Sequence, residues 1–337
     1  MYVYVWRMMS RFPRSVSAAV LAAALLPAAA PAAAAEPAAH RVRVTTAYEL
    51  PGDRVYPEGI AADPRTGTLY AGSFADGTVY RMSGRGRVAE VFLPAGADGR
   101  DTANGLAVDR HGRLWVTDSS AGVTVYDVRT RRPLARFDVP GDGPRFVNDL
   151  AITPDGTAYL TDSLRAVVYR VAPRDLAAAR GGTGVLEPFA DLAPALDPFA
   201  PGAYTLNGVV AAPDGRYLLV ADSAGGDLHR LDPASGAVER VALDGGDMAL
   251  ADGLDLRHGR LWAAHNISDA LTRWRVSRDG RRARLERRVV DAALDAPTTL
   301  VRVRGGLYVV RSQFDDGGPL GEGVPETPFT VAAVRGL

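Results

Sequence analysis

Short hydrophobic runs that alternate with polar residues fill the chain from about residue 57 onwards. In the segment NGVVAAPDGRYLLVADSAGGDLHRL, which starts at Asn207, a first run leads into a P-D-G turn, a second run into a glycine-containing turn, and a third run follows. Alternation with a period of two residues is typical of β-strands, and turns of this composition join strands into hairpins. The pattern therefore predicts an antiparallel β-meander.

The same meander recurs along the chain as six related units. Each unit has one equivalent position near its start, here called its anchor, and the anchors are Glu58, Asn104, Asn148, Asn207, Asp252 and Thr298. They give a period of about 45 residues with one longer interval. This period is the length of a four-stranded propeller blade. We therefore expect an all-β fold, a six-bladed β-propeller of four-stranded antiparallel blades. The unassigned strand RVRVTTAY from Arg41 would complete the last blade beside TPFTVAAV from Thr327.

Segments outside the repeat set the expected domain limits. Three arginines within the first 14 residues precede an apolar run over 16–26, and several A-x-A sites lie near residues 33–35. This order predicts a secretory signal peptide over residues 1–35 that is removed on export, then a short linker over 36–40 and a single propeller domain over 41–337. The apolar run is too short to span a bilayer, so no membrane association is expected after cleavage. The long interval at 175–204 is expected to be a surface excursion with at most one helical turn.

Composition narrows the chemistry that the chain can perform. The 39 basic residues, all of them arginine, balance 39 acidic residues, so the chain has no net attraction for nucleic acid. Because the chain has no cysteine, disulfides, thiol nucleophiles and cysteine metal sites are excluded. Catalysis would have to use oxygen and nitrogen groups, and we expect a small-molecule substrate.

Antiparallel pairing places the start of each innermost strand and the end of each second strand on the same face of the disc. Polar residues occupy both places in every unit. The innermost-strand set is Glu58, Asn104, Asn148 with Asp149, Asn207, Asp252, and Thr298 with Thr299. The second-strand set is Ser73, Asp118 with Ser119, Asp162 with Ser163, Asp222 with Ser223, His265 with Asn266, and Ser312 with Gln313. A ring of carboxylate and amide oxygens is what Ca²⁺ prefers, whereas the absence of histidine among the anchors disfavours zinc. The alternative is that these are turn residues bonded to local backbone.

Several anchors carry a family resemblance. PEG at Pro57, ND at Asn148, NGVVAAPDGRYLLVADS at Asn207 and ADGL at Ala251 resemble the senescence marker protein, gluconolactonase and luciferin-regenerating enzyme family of calcium-dependent six-bladed propellers, over roughly residues 55–314. The resemblance implies hydrolysis of a lactone or another ester. It also implies that Glu58, Asn207 and Asp252 bind the catalytic cation, most often Ca²⁺, and that Asn148 is a substrate contact or a further ligand.

The remaining candidates follow from that resemblance with less support. Asn104 and Arg145 are candidate substrate contacts, but many family members carry the arginine two residues before the asparagine, whereas Arg145 lies three before Asn148. The substrate is therefore left open.

In the hypothetical mechanism the cation polarises the ester carbonyl and Asp252 helps to activate water, with His265 as a reserve base. His229 and His258 have no acidic partner at a useful spacing and are expected to be structural. Two other functions stay open: a ligand-binding or scaffolding propeller with a structural metal, and a metal-free propeller with a water-filled channel.

Overall fold

The computed structural model describes residues 41–84 and 86–337. The predicted signal peptide over 1–35 and linker over 36–40 lie outside the described residues. The described part is built of β-strands, with one α-helix, α1 (Pro173–Ala179), and short 3₁₀ turns at Ala97–Gly99, Ala193–Ala195, Asn266–Ser268 and Ala292–Leu294. Among the helices of the described residues, none has the length and apolar character needed to cross a membrane.

The strands are short, as expected for propeller blades. In chain order they are β1 (Arg43–Leu50), β2 (Pro57–Ala62), β3 (Leu69–Ser73), β4 (Val79–Met82), β5 (Glu90–Leu93), β6 (Leu106–Val108), β7 (Arg113–Asp118), β8 (Gly122–Asp127), β9 (Pro133–Asp138), β10 (Val147–Ile152), β11 (Ala158–Asp162), β12 (Val167–Val171), β13 (Thr183–Val185), β14 (Glu187–Asp191), β15 (Leu206–Ala211), β16 (Leu218–Asp222), β17 (Asp227–Leu231), β18 (Val238–Arg240), β19 (Ala242–Asp244), β20 (Ala251–Arg257), β21 (Arg260–His265), β22 (Ala270–Val276), β23 (Arg282–Val290), β24 (Leu300–Val303), β25 (Gly306–Arg311) and β26 (Phe329–Arg335).

These strands form six separate sheets, one for each repeat unit. From the inner strand outwards, blade 1 is β2-β3-β4-β5, blade 2 is β6-β7-β8-β9-β13, blade 3 is β10-β11-β12-β14, blade 4 is β15-β16-β17-β18, blade 5 is β20-β21-β22-β23-β19, and blade 6 is β24-β25-β26-β1. The predicted six-bladed propeller is confirmed, and the N-terminal strand completes the last blade as predicted.

Two details differ from the predicted four-stranded blades. Blades 2 and 5 each carry a fifth strand of three residues, β13 beside β9 and β19 beside β23, and both added strands run parallel to their neighbours. The excursion at 175–204 contributes to two blades, because it contains β13 and also β14, the outer strand of blade 3. It begins within the two-turn helix α1 rather than a single helical turn. The sequence did not predict β13 and β14, because strands of three and five residues show little alternation.

The ring is closed by β1, which pairs antiparallel with β26 from Arg43 opposite Arg335 to Leu50 opposite Phe329. Leu50 and Phe329 are completely buried, and Phe329 packs edge-on against Tyr56 with ring centroids 5.0 Å apart. Apolar burial between blades is the dominant favourable term in a cysteine-free fold of this kind. The first and last described strands therefore share one core with blade 1.

Register breaks occur at the anchor positions of four inner strands. The regular pairing is interrupted between Pro57 and Ile60 in blade 1, and at the corresponding pairs 147/150, 206/209 and 251/254 in blades 3, 4 and 5. The interrupted residues are the anchor and its successor. A bulge re-aims side chains, so the anchors leave the ladder and turn towards the central channel.

Glycine at the position after the anchor lets neighbouring inner strands approach closely. A Cβ added to Gly59 would lie 1.9 Å from the carbonyl oxygen of Asn104 in blade 2, and one added to Gly208 would lie 2.1 Å from the carbonyl oxygen of Asp252 in blade 5. Hydrogen bonds cross between blades at the same level, such as Gly105 N–H to the Asn148 carbonyl at 3.0 Å. The inner strands therefore form a tight ring that fixes the distances between anchors.

Gly59→Ala should lower the free energy of unfolding by about 3 kcal/mol, because its Cβ meets backbone that cannot move without opening the ring. Gly84→Ala is the matched control, since no atom lies within 4 Å of its added Cβ. Urea unfolding followed by fluorescence would measure both. Equal stability of the two variants would contradict the close approach of the inner strands.

Candidate functional site

The two polar sets predicted from the repeat meet at one face of the propeller. Pro57 pairs with Ser73, Val147 with Asp162, Leu206 with Asp222 and Ala251 with His265. Each anchor therefore lies beside the end of the second strand in its own blade.

Side chains of the second-strand set hold the anchors by hydrogen bonds. The Nδ2 of Asn104 donates to Ser119 Oγ at 2.7 Å, and that of Asn148 donates to Ser163 Oγ at 3.0 Å. In blade 5, Asn266 Nδ2 donates to Asp252 Oδ2 at 3.0 Å. Each serine hydroxyl accepts one N–H group of the asparagine amide and so holds that side chain in place.

Four asparagine oxygens are left without a partner among the described residues. They are the buried Oδ1 atoms of Asn104, Asn148, Asn207 and Asn266. A buried acceptor without a partner costs about 1–3 kcal/mol, so several such oxygens near one channel call for a ligand that accepts electron pairs. A cation or a bound water would satisfy them.

A small cavity, here called the waist, lies in the channel between the inner strands. Its volume is about 10 Å³, which is the space of a single water or ion. Glu58, Asn148, Asp149 and Asp252 contribute the polar side chains of its wall, and the remaining wall is inner-strand residues that include Gly59, Gly105 and Gly253. No arginine or histidine lines this cavity.

Three carboxylates share this waist without a positive partner on its wall, and all three resist ionisation. Burial raises the pKa of Glu58 well above its ordinary value, and the negative charges of Asp252 and Asp149 raise it further. Burial and the charge of Asp149 likewise raise the pKa of Asp252, against hydrogen bonds from Asn266 and Asn207. Burial raises the pKa of Asp149 to about 6, opposed by the backbone N–H groups of Val209 and Leu150.

The donor set fits a hard divalent cation. It consists of carboxylate and amide oxygens, with no sulfur and no imidazole on the wall, and Ca²⁺ takes six to eight oxygen ligands of these kinds. The mutual repulsion of the carboxylates would be relieved by a positive ion in the waist. The predicted ligands Glu58, Asp252 and Asn148 are brought together there, and Asn207 adjoins them from blade 4.

Above the waist the channel opens into a larger cavity of about 420 Å³. Its floor carries Glu58, Asn148, Asn207, Asp252 and Asn266. Its wall is mainly apolar and is formed by Phe74, Phe146, Tyr204, Ala224, Leu250, Ile267, Phe314, Pro319 and Leu320, with Ser223 as a polar member.

Aromatic contacts join the wall residues into a continuous rim. Phe74 lies 5.3 Å from Phe314 and 6.3 Å from Phe146, and Phe146 lies 5.0 Å from Tyr204, measured between ring centroids. The arrangement combines a floor of carboxylate and amide side chains with an apolar wall. Small-molecule sites commonly have this combination.

The predicted substrate contacts Arg145 and Asn104 do not line the open cavity. Arg145 donates to the Gly141 carbonyl oxygen at 2.8 Å within its own loop, and its neighbour Phe146 occupies the cavity wall instead. Asn104 is completely buried and also donates to the Val147 carbonyl at 3.3 Å, which ties blade 2 to blade 3. The structure gives both residues structural partners.

His265 is buried inside blade 5 and does not line either cavity. Its Nδ1 donates to the Ala249 carbonyl oxygen at 2.8 Å, and its Nε2 accepts from Thr272 Oγ1 at 2.8 Å. Burial lowers its pKa. Because both ring nitrogens are engaged within the fold, the expectation of a reserve base at this position is corrected to a structural histidine.

The sequence placed Asp149 in the polar ring beside Asn148, but gave it no role as a ligand. The position after the anchor is glycine in four blades, at residues 59, 105, 208 and 253, and threonine in blade 6. In blade 3 it is an aspartate, and its carboxylate joins the waist. The departure from glycine at this repeat position was the available signal.

The fold is shared by several solved propellers, although no family model and no curated protein matches the chain. A gluconolactonase from Xanthomonas campestris has 19% identity and a TM-score of 0.58, over 87% of this chain and 89% of that one. A virginiamycin B lyase from Staphylococcus aureus has 10% identity and a TM-score of 0.55, over 87% and 99%. A nidogen/laminin complex has 16% identity and a TM-score of 0.54, over 71% and 81%. At these identities the likeness establishes the propeller fold.

Removing divalent cations should make the stability of the protein depend on pH. The pKa values of the waist carboxylates are higher in the folded protein than in the unfolded chain. The folded state therefore binds more protons from about pH 4 to pH 6 and above. The melting temperature in chelator should therefore fall by several degrees between pH 5 and pH 7.5. In excess Ca²⁺ this fall should disappear, because the ion compensates the ionised carboxylates. Calorimetric scans that superimpose in chelator and Ca²⁺ would contradict the site.

Proposed function

We propose that the protein is a calcium-dependent hydrolase that acts on lactone or other ester bonds. The observation that carries this proposal is the ion-sized waist with three buried carboxylates at the floor of an open, apolar-walled cavity. The likeness in fold to a gluconolactonase supports the reaction class.

Glu58, Asn207 and Asp252 would hold the ion, with Asn148 as a further oxygen ligand. A cation bound there would supply Lewis acidity that polarises an ester carbonyl. The second-strand residues have a positioning role, since Ser163 orients the Asn148 amide and Asn266 orients the Asp252 carboxylate.

Asp252 is the residue proposed to activate water. It lines both the waist and the open cavity, so its carboxylate faces the ion and the substrate space together. Its Oδ2 accepts a hydrogen bond from Asn266. A carboxylate held in this way can accept a proton from a water in the cavity.

The cavity wall favours substrates with an apolar substituent. Phe74, Phe146, Tyr204 and Phe314 would pack against an aliphatic or aromatic group, whereas a polyhydroxylated sugar ring would leave its hydroxyls facing apolar surface. We therefore propose lipophilic lactones or aryl and alkyl esters as the substrate class.

Export would suit this chemistry. The signal peptide proposed from residues 1–35 would deliver the chain to an extracellular environment, where binding sites of moderate calcium affinity are filled.

A second function, a binding or scaffolding propeller with a structural cation, deserves the same test. It is favoured by the position of the waist between inner strands of several blades, where an ion would tie blades together. The lyase neighbours include a catalytically inactive histidine-to-alanine variant bound to quinupristin, but no histidine lines either cavity of the described chain.

Calcium titration by calorimetry, followed by a lactone and aryl-ester screen, separates these functions. We expect binding near one equivalent and calcium-dependent turnover, and we expect Asp252→Asn to weaken binding by about tenfold or more and to abolish turnover. Asp53→Asn, at an exposed position, is the matched control. Calcium binding with metal-dependent melting but no turnover on any substrate would favour the scaffolding function. Turnover retained in Asp252→Asn would overturn the hydrolase mechanism.

Phe146→Ala should raise the KM for lipophilic lactones by about tenfold while leaving calcium affinity unchanged, because it removes apolar wall and no oxygen ligand. Phe199→Ala is the matched control, since Phe199 is exposed and lies outside the cavity wall. Steady-state kinetics on acyl chains of increasing length would measure the effect. A KM that does not depend on chain length in the unaltered protein would rule out the apolar wall as the specificity determinant.

A further inference from the structure

A second group of metal-ligating side chains lies in blade 4, away from the waist. Asp222 ends β16, Asp227 begins β17, and the two residues are direct partners in the strand ladder. His229 follows Asp227 by two residues and therefore projects from the same face of the sheet. One ligand atom from each of the three residues lies within 4.8 Å of the others.

His229 is the unusual member of this group. Its side chain is completely buried, and neither Nδ1 nor Nε2 has a hydrogen-bond partner among the described residues. Burial lowers the pKa of the imidazole, which favours the neutral form that can bind a metal. The expectation that His229 lacks an acidic partner is thus corrected, because the hairpin between β16 and β17 brings Asp222 to it.

The two carboxylates are arranged so that they can turn towards an ion. Asp222 Oδ1 accepts from the Gly225 N–H at 2.9 Å, and a carboxylate that accepts one such bond keeps lone pairs for an ion. Asp227 lies 3.2 Å from Arg240, but Arg240 also has Asp197 at 2.7 Å. Arg240 can therefore stay paired with Asp197 when Asp227 binds another cation.

We propose that Asp222, Asp227 and His229 form a second metal site that binds a divalent transition ion such as Zn²⁺. One imidazole with two carboxylates suits zinc and its neighbours, whereas the oxygen-only waist suits Ca²⁺. Ligand atoms around a tetrahedral ion are about 3.4 Å apart, so rotation of the carboxylates within the present group completes the site. The partly exposed side of Asp227 leaves the fourth position to water.

A metal ion bound there would link the two middle strands of blade 4. It joins both strands of the β16–β17 hairpin. A cysteine-free chain has no disulfide that could play this role. The ion is therefore expected to be structural, and its effect is on stability rather than on turnover.

Calorimetric titration with ZnCl₂ in excess Ca²⁺ tests the proposal on the complete mature chain. We expect one equivalent of Zn²⁺ to bind, with the same affinity in Asp252→Asn, and binding at least tenfold weaker in His229→Gln. The exposed His258→Gln is the matched control and should bind as the unaltered protein does. No binding, or binding unchanged in His229→Gln, would overturn the site. Loss of binding in Asp252→Asn alone would assign the zinc to the waist and would also overturn it.

Two further measurements keep the test independent of folding defects. Melting of His229→Gln in chelator shows whether the variant folds, and only the zinc-dependent rise in melting temperature should be missing. Arg240→Gln removes a positive charge beside Asp227 from an exposed position, so it should tighten zinc binding severalfold. Weaker zinc binding in Arg240→Gln would contradict the participation of Asp227.

Discussion

Repulsion among the carboxylates of Glu58, Asp149 and Asp252 is the interaction on which the rest of the site depends. These groups are held in one small cavity, and no positive side chain lines it. Burial and this repulsion raise the pKa values of Glu58 and Asp252, while hydrogen bonds between blades, such as Gly105 N–H to the Asn148 carbonyl, hold the inner strands together. A cation bound in this cavity would compensate the negative charges.

The channel separates two chemical environments along its axis. Oxygen ligands lie at the waist and floor, and aromatic side chains form the wall above them. A molecule that enters the open cavity would lose bound water at the apolar wall before its polar group reached the floor. Electrostatic interactions at the floor would be stronger than in water, because the surroundings are less polar. Substitutions at the anchors and at wall residues such as Phe146 and Tyr204 would therefore alter different parts of the cavity.

The repeat was enough to predict the fold, because each blade uses the same alternation, the same turns and the same anchor position. It was also enough to predict that Glu58, Asn148, Asn207 and Asp252 converge, since antiparallel pairing puts equivalent positions of all blades on one face. Asp149 was placed in the polar ring but given no role there, because it occupies a position that is glycine in four other blades, where the direction of a side chain depends on the bulge. Arg145 was misjudged because loop conformation, which the pattern does not encode, turns it towards Gly141.

Contacts that depend on register across a hairpin were also beyond the sequence pattern. His229 meets Asp222 only because Asp222 pairs with Asp227 rather than with a neighbouring residue, and a shift of one residue would send the histidine to the other face. The short parallel strands β13 and β19 were missed for a related reason, because three residues carry too little alternation to identify a strand. The alternation of the sequence thus predicts the strands and the face on which each side chain lies. Individual side-chain contacts depend also on the register between paired strands.

The pairing of β1 with β26 sets the order in which the molecule can mature. Arg43 and Arg335 are neighbours in the finished sheet although they lie at opposite ends of the described chain, and contacts of such long separation form late in folding. Until β26 has been synthesised, β1 remains an unpaired edge that other chains can join. A chain interrupted before its last strand therefore cannot pair β1 with β26, and its ring stays open.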